Sequence, residues 1–158
     1  MEIQAIKVII TALQKFINDN AKPVPQVQLE FITKQTIPAA YIKAGVITPV
    51  KEYIAGAGVY SLSFYLVYKT QSQGDKEKVF KWLGAATLFF EQVSKPTIFR
   101  LPDFKNLPSI TTMDIGEGLK AKEVKEAQSP TDVSGQDTDG NVWYQSILSL
   151  RFHKKGDI

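Results

Sequence analysis

From the start of the chain, hydrophobic residues recur at three- and four-residue steps: Ile3, Ile6, Ile9 or Ile10, Leu13, Phe16 and Ile17. Gln4, Lys7, Thr11, Gln14 and Lys15 fall between them. That spacing gathers one apolar stripe on an amphipathic helix. Asn18-Asp19-Asn20 offers a stop. Pro23 and Pro25 then prevent resumption, because proline lacks the amide donor and clashes with the preceding turn. The period next drops to two. Val27, Leu29 and Phe31 alternate with Gln28 and Glu30, which predicts a strand over 27–36 with one buried face. Pro38 breaks that strand or confines it to an edge. Tyr41 to Ile47 and Tyr53-Ile54 read as further short extended pieces, and Ala55-Gly56-Ala57-Gly58 as a flexible turn.

The strongest strand pattern runs from Val59 to Thr70. Tyr60, Leu62, Phe64, Leu66 and Tyr68 form one face; Val59, Ser61, Ser63, Tyr65 and Val67 form the other. Both faces carry apolar residues, which predicts a central position in the sheet. A polar loop, Gln71 to Gly74, leads to a second helix beginning at Asp75, whose carboxylate complements the positive end of the helix dipole. Val79, Trp82, Leu83, Ala86, Phe89 and Phe90 make its stripe, broadened by Phe80 and Leu88. Gly84 lies inside it, and its missing Cβ suggests close packing on the sheet. Thr97 to Pro108 is irregular, and Ile110 to Ile115 reads as a short strand. Leu119 to Ala127 reads as a strand, with a helix as the alternative. Gln128 to Gly140, rich in Ser, Asp, Gly and Thr, reads as a long mobile loop of the kind that is often functional. The last strand is Asn141 to Phe152. Val142, Tyr144, Leu148, Leu150 and Phe152 mark one face; Gln145, Ser149, Arg151 and His153 mark the other. Two amphipathic helices and an antiparallel or mixed sheet make an α+β fold, with the helices covering one sheet face. The 158 residues amount to a single domain, 1–158.

Composition narrows the chemistry. Hydrophobic residues are 44% and charged residues 22%, as in ordinary globular domains. There is no cysteine, which excludes disulfides, thiolate catalysis and Cys-ligated zinc or iron–sulfur centres. No apolar run approaches the roughly 20 residues of a membrane helix, so no membrane partner is expected. Met1-Glu2-Ile3-Gln4 lacks the basic start of a signal peptide, and the expectation is a protein made and kept in the cytoplasm. The net charge of +3 is well mixed along the chain. Lys120 to Lys125 and the group Arg151, His153, Lys154 and Lys155 are its most basic stretches, and both read as solvated surface.

No catalytic centre emerges from the residue types. The one histidine, His153, sits near the C-terminus, where a Ser-His-Asp triad would need it fixed and buried. A metal would need carboxylate oxygens. Asp137-x-Asp139-Gly140-Asn141 is a fragment of a calcium loop without the distant Glu, and it is also a common turn sequence. Ala55-Gly56-Ala57-Gly58 precedes a strand rather than a helix and lacks the Lys-Ser/Thr of a phosphate loop. The reading is a non-enzyme with no catalytic, cofactor or metal residues. Tyr41, Tyr53, Tyr60, Tyr65 and Tyr68 gather around the middle strands. Single-stranded nucleic acid stacks on such sheets, but the basic residues interleaved there are only Lys43, Lys51 and Lys69, so a protein interface or core is the preferred account.

The layout resembles the tail terminator and minor capsid proteins of long-tailed (siphovirus-type) bacteriophages with Gram-positive hosts. The resemblance spans nearly the whole chain. It is carried by the helix of Ile6 to Ile17, by Gly45-Val46-Ile47 leading to the strand Tyr60–Tyr68, by the helix with Trp82-Leu83 near its middle, and by the closing strand Val142–Phe152. It implies a virion structural protein at the head-proximal end of the tail. Such a protein forms a sixfold homo-oligomeric ring that caps the tail tube and joins it to the head-completion proteins. Viral DNA passes transiently through the ring. The implied partners are the tail-tube protein and a head-completion protein, with no cofactor. The loop 128–140 and the turn 53–58 are the expected contacts, represented by Tyr53, Gly56, Gly58, Ser134, Asp137 and Asp139. Three other readings stay open: another head–tail connector or tail-completion protein, a module binding a peptide or small ligand on its aromatic sheet, and an enzyme using dispersed carboxylates.

Overall fold

In the computed structural model, residues 3–29, 38–71, 76–133 and 141–156 are described. The elements run α1 (Ile3–Asn20), β1 (Val27–Leu29), β2 (Ala39–Glu52), β3 (Gly58–Thr70), α2 (Lys76–Val93), β4 (Leu119–Asp132) and β5 (Val142–Lys154). The strands form one mixed sheet in the order β1-β2-β3-β5-β4. Only β1 and β2 are parallel; the other neighbours are antiparallel. This is the α+β fold that the two helical stripes and the alternating segments call for, and β3 is the middle strand.

Both helices lie on one face of the sheet. The β3 residues Leu62, Phe64 and Leu66 are fully buried there, opposite Leu150, Leu148 and Ser146 of β5. The Phe64 ring meets Phe90 of α2 edge-on at 5.7 Å, and Phe89 of α2 meets Phe16 of α1 at 5.7 Å. One continuous apolar core therefore joins sheet, α1 and α2. Alternation makes the even-numbered β3 positions and their partners the inner face and leaves the odd-numbered ones facing outward.

Several local expectations change. Tyr41–Ile47 belongs to a single strand that runs through Pro49 to Glu52, broken by register shifts between Ala44 and Ile47 and between Pro49 and Lys51. Those shifts disrupt the alternation that marks a strand in sequence. Ile54–Gly56 is a 3₁₀ turn, not an extended piece, with Ala55 and Gly56 at positive φ. Ile110–Thr112 is also a 3₁₀ turn, where Ser109 Oγ accepts from the Thr111 amide, so no strand forms over 110–115. Gly84 is exposed, and a Cβ there would meet nothing within 4 Å, so it is not a close-packing position. Gln128–Asp132 continues β4, held by pairing with Ile147, Gln145 and Tyr144 of β5. The loop expected over 128–140 therefore starts no earlier than Val133. The expected strand 27–36 is a strand over Val27–Leu29; its remainder, the start of α2 at Asp75, and residues 134–140 lie outside the described residues.

Candidate interaction surfaces

Two surfaces follow from this architecture: the edges of the sheet and its uncovered face. A sheet edge presents unpaired amides and carbonyls and invites pairing unless something blocks it. Here each edge is blocked over part of its length by a polar side chain at the C-terminal end of a helix. On the β1 side, Asn18 of α1 grips Val27: its Oδ1 accepts from the Val27 amide at 2.8 Å and its Nδ2 donates to the Val27 carbonyl at 2.8 Å. Gln14 adds a second donor to that carbonyl at 3.1 Å. On the β4 side, Ser94 Oγ accepts from the Val124 amide at 2.8 Å and donates to Phe90 O at 2.7 Å.

Beyond these clamps the edges are bare among the described residues. Among the described residues β1 pairs with β2 only through Ala40–Ile42, and no described strand lies beside the outer edge of β2 from Lys43 to Glu52. The outer edge of β4 from Lys125 to Gln128 likewise faces away from the molecule and is exposed. The bare stretch of β2 runs from the Tyr65 level to the Val59 end of β3, and that of β4 lies on the opposite edge, level with Ser63 to Tyr65 through Ser149 and Ile147 of β5. Pro49 and Pro130 sit on these edges, where a missing donor costs no ladder bond.

The bare end of β2 also carries apolar side chains into solvent. Val46 is 66% exposed, Val50 48%, Tyr53 53% and Ile54 88%. The hairpin closes with the Tyr53 amide donating to Ala57 O at 2.8 Å. Of the residues expected to make contacts, Tyr53 and Gly56 are exposed at this tip. Gly58 is buried in the hairpin neck, where a Cβ would collide with the Lys51 carbonyl oxygen, so its part is to let the two strands approach. Ser134, Asp137 and Asp139 lie outside the described residues. A second exposed apolar group, Ile98, Phe99 and Leu101, follows α2. In sequence Pro96 and Pro102 give this segment only the composition of an irregular loop.

The outer sheet face is ordered by strand register into cross-strand rows. Lys69 stands beside Trp143; Tyr41, Val67, Gln145 and Thr131 form the next row; Lys43, Tyr65, Ile147 and Gln128 the one after. Ser63, Ser149 and Lys125 follow, then Thr48, Ser61, Arg151 and Glu123, and last Lys51, Val59, His153 and Lys120. Lys43 lies over the Tyr65 ring at 5.1 Å and Lys69 over the Trp143 ring at 5.2 Å. Glu123 is shared between Lys125 at 3.4 Å and Arg151 at 3.8 Å. His153 titrates below the usual imidazole value, first because the sheet partly desolvates it and then because Lys122 and Lys120 repel its charged form. The tyrosines that cluster in sequence thus divide: Tyr41 and Tyr65 face outward, Tyr60 and Tyr68 pack toward Phe152 and Trp82 on the covered side, and Tyr53 goes to the hairpin tip.

A groove of about 540 Å³ opens between the C-terminal end of α1 and the first turns of α2, lined by Val24, Pro25, Tyr68, Trp82 and Ala86, with Lys78 and Lys81 at its rim. Trp82 Nε1 donates to Pro25 O at 3.2 Å in its wall. Among the described residues, no group of three or more His, Cys, Asp or Glu is placed to hold a metal ion, and no helix is long and apolar enough to cross a membrane. In comparisons with known proteins, the sequence matches no family model and no curated protein.

Proposed function

We propose that this chain is a ring-forming structural subunit of the tail-terminator type. Copies join head to tail, the bare β2 edge of one pairing with the bare β4 edge of the next. The observation that carries the reading is two stretches, one on each opposite edge of the sheet, that are unclamped among the described residues, where the neighbouring edge positions are hydrogen-bonded to Asn18 and Ser94. Two different edges meeting make a heterologous contact, and such a contact closes into a ring when the rotation per subunit allows. Strand addition supplies main-chain hydrogen bonds, and the apolar hairpin end around Val46, Val50 and Ile54 supplies burial. The virion location, the tail-tube and head-completion partners and the sixfold closure rest on the family resemblance. A head–tail connector elsewhere in the virion would use the same edges.

Because the chain has no native cysteine, the contact is directly testable. Val46→Cys on β2 and Ala127→Cys on β4, combined in one chain, are expected to give a ladder of disulfide-linked species ending in a closed ring of defined native mass. Each single variant alone gives no ladder. A concentrated sample that stays monomeric with and without isolated tail tubes, or a dimer cross-linked by one single variant alone, refutes the reading.

A further inference from the structure

We propose that the open face of the sheet is a binding surface for single-stranded nucleic acid, with phosphates held by its lysines and arginine and bases stacked on its aromatic rings. Charge is the first argument. Lys43, Lys51, Lys69, Lys120, Lys125 and Arg151 all project from this face, and Glu123 is the one carboxylate in its rows. That one face therefore holds more net positive charge than the +3 of the entire chain, and the remainder of the molecule is on balance acidic. A basic surface concentrated on one side is the electrostatic footprint of a polyanion partner. Glu123 is already engaged by Lys125 and Arg151, so it moderates the field at one corner only.

The second argument is the arrangement of rings and small residues. Tyr65 and Trp143 stand two rows apart, about 13 Å along the strands, and each has a lysine ammonium over its ring. Such a pair offers a planar surface to a base and a cation to the neighbouring phosphate. Below them the middle of the face has a shallow polar floor. Ser63 and Ser149 are cross-strand partners, and Ser61 hydrogen-bonds to Ser149 through their hydroxyls. Gly45 packs against Ser63 so closely that a Cβ would strike its hydroxyl, which keeps the floor low. Cations border this floor on both sides, Lys43 and Lys51 from β2, Lys125 and Arg151 from β4 and β5. An acidic protein segment would satisfy the cations but would leave the ring platforms without purpose. A duplex would keep its bases stacked on one another and away from the rings, whereas a single strand presents base faces and phosphates together.

This inference stands apart from ring assembly, which uses the edges. Its test uses the placement of the two tryptophans: Trp143 lies on the open face and Trp82 is buried on α2. In the full-length Trp82→Phe variant, Trp143 alone reports. Titration with a thymidine oligonucleotide is expected to quench Trp143, and the affinity to fall with salt at roughly 0.7 log units per log unit of salt for each phosphate engaged. Polarisation of a labelled oligonucleotide with unmodified protein gives the same affinity without relying on Trp82→Phe folding. Lys43→Glu with Lys69→Glu should weaken binding at least tenfold and flatten the salt slope. Lys7→Glu with Lys15→Glu, on the exposed side of α1, should change it less than twofold. The proposal is overturned by absence of binding at low salt, by equal affinity for poly-glutamate, by preference for a duplex of the same length, or by face variants that alter native mass while leaving oligonucleotide affinity unchanged.

Discussion

Arg100 is the residue on which the long connection between α2 and β4 depends, and replacing it tests that dependence. It is 6% exposed, and among the described residues no carboxylate lies within ion-pair distance. Its guanidinium instead serves carbonyls: Nε donates to Lys95 O at 2.9 Å, and Nη1 donates to Leu107 O at 2.7 Å and Phe104 O at 3.2 Å. The adjoining Leu101 amide donates to Gln92 Oε1 at 2.7 Å, tying the same segment to α2. A planar, fixed charge with several donors suits this hub, since it can reach carbonyls that point in different directions. Arg100→Met keeps most of the aliphatic stem and removes every donor. A hydrogen bond from a charged group contributes about 1.5–3 kcal/mol. Three such bonds at the low end come to about 4.5 kcal/mol; water reaches the exposed parts of this loop and replaces some of that, so the expected cost is roughly 3–4 kcal/mol. For a chain of this size that lowers Tm by roughly 6–16 °C. Arg100→Lys retains a charge but a single donor centre, and should lose about half as much. Urea denaturation gives the free energies, and protease cleavage between residues 95 and 107 should rise in the same order. An Arg100→Met protein within about 0.5 kcal/mol of the parent, the range of an ordinary surface change, would refute the hub.

Three further perturbations address the layers and the edges. Ser94→Ala should cost about 1–2 kcal/mol in urea denaturation, because it strands the Val124 amide at a partly buried edge. Phe64→Ala and Phe90→Ala should each cost about 3–5 kcal/mol. Their double-mutant cycle should show a coupling of about 0.5–1.5 kcal/mol from the edge-on ring pair, and strict additivity would deny that contact. His153 has a folded-state pKa below its unfolded value, so between the two the unfolded chain binds more protons and stability rises with pH. Its contribution is complete above about 6.5 and is lost as pH falls toward the lowered folded value. His153→Gln should flatten Tm against pH in that acid window, whereas an unchanged slope would assign the dependence to other groups.

The parts of the fold that were legible in sequence are those where a single period runs uninterrupted. The α1 stripe and the alternation of β3 and β5 predict the elements, their buried faces and the central place of β3, because each element buries one continuous side. Where two periods meet, the pattern fails. β2 takes 14 residues but crosses two register shifts and Pro49, so in sequence it breaks into pieces. Ile110 to Ile115 has strand composition, yet Ser109 caps a 3₁₀ turn there, and Ile110 and Ile115 reach the shared core from a turn and a loop. Gln128–Asp132 has the composition of a loop and is a strand only because β5 supplies its partners. Arg100 gives no signal at all in chain order: the carbonyls that need it are brought together only by the turns of the connection.

The open face was hidden for a related reason, and β4 shows it. Simple alternation from Leu119 would put Val124 on the side of Lys120 and Lys122, and would read the strand as a poorly sorted surface. The register shift between Ala121 and Glu123 turns Val124 inward beside Ala121, where both are buried, and leaves Lys120, Glu123 and Lys125 outward. A bulge inserts one extra residue and reverses every side chain after it, so a strand with a bulge looks unsorted in sequence and is well sorted in space. Counted along the chain, the basic residues near the aromatic strands are Lys43, Lys51 and Lys69, too few to suggest a polyanion. Register adds Lys120, Lys125 and Arg151 from strands that lie far away in sequence and adjacent in the sheet. Net charge is an average over the chain, whereas a partner meets a face. It is the sorting of an unremarkable +3 into one basic face and an acidic remainder that gives this sheet something to recognise.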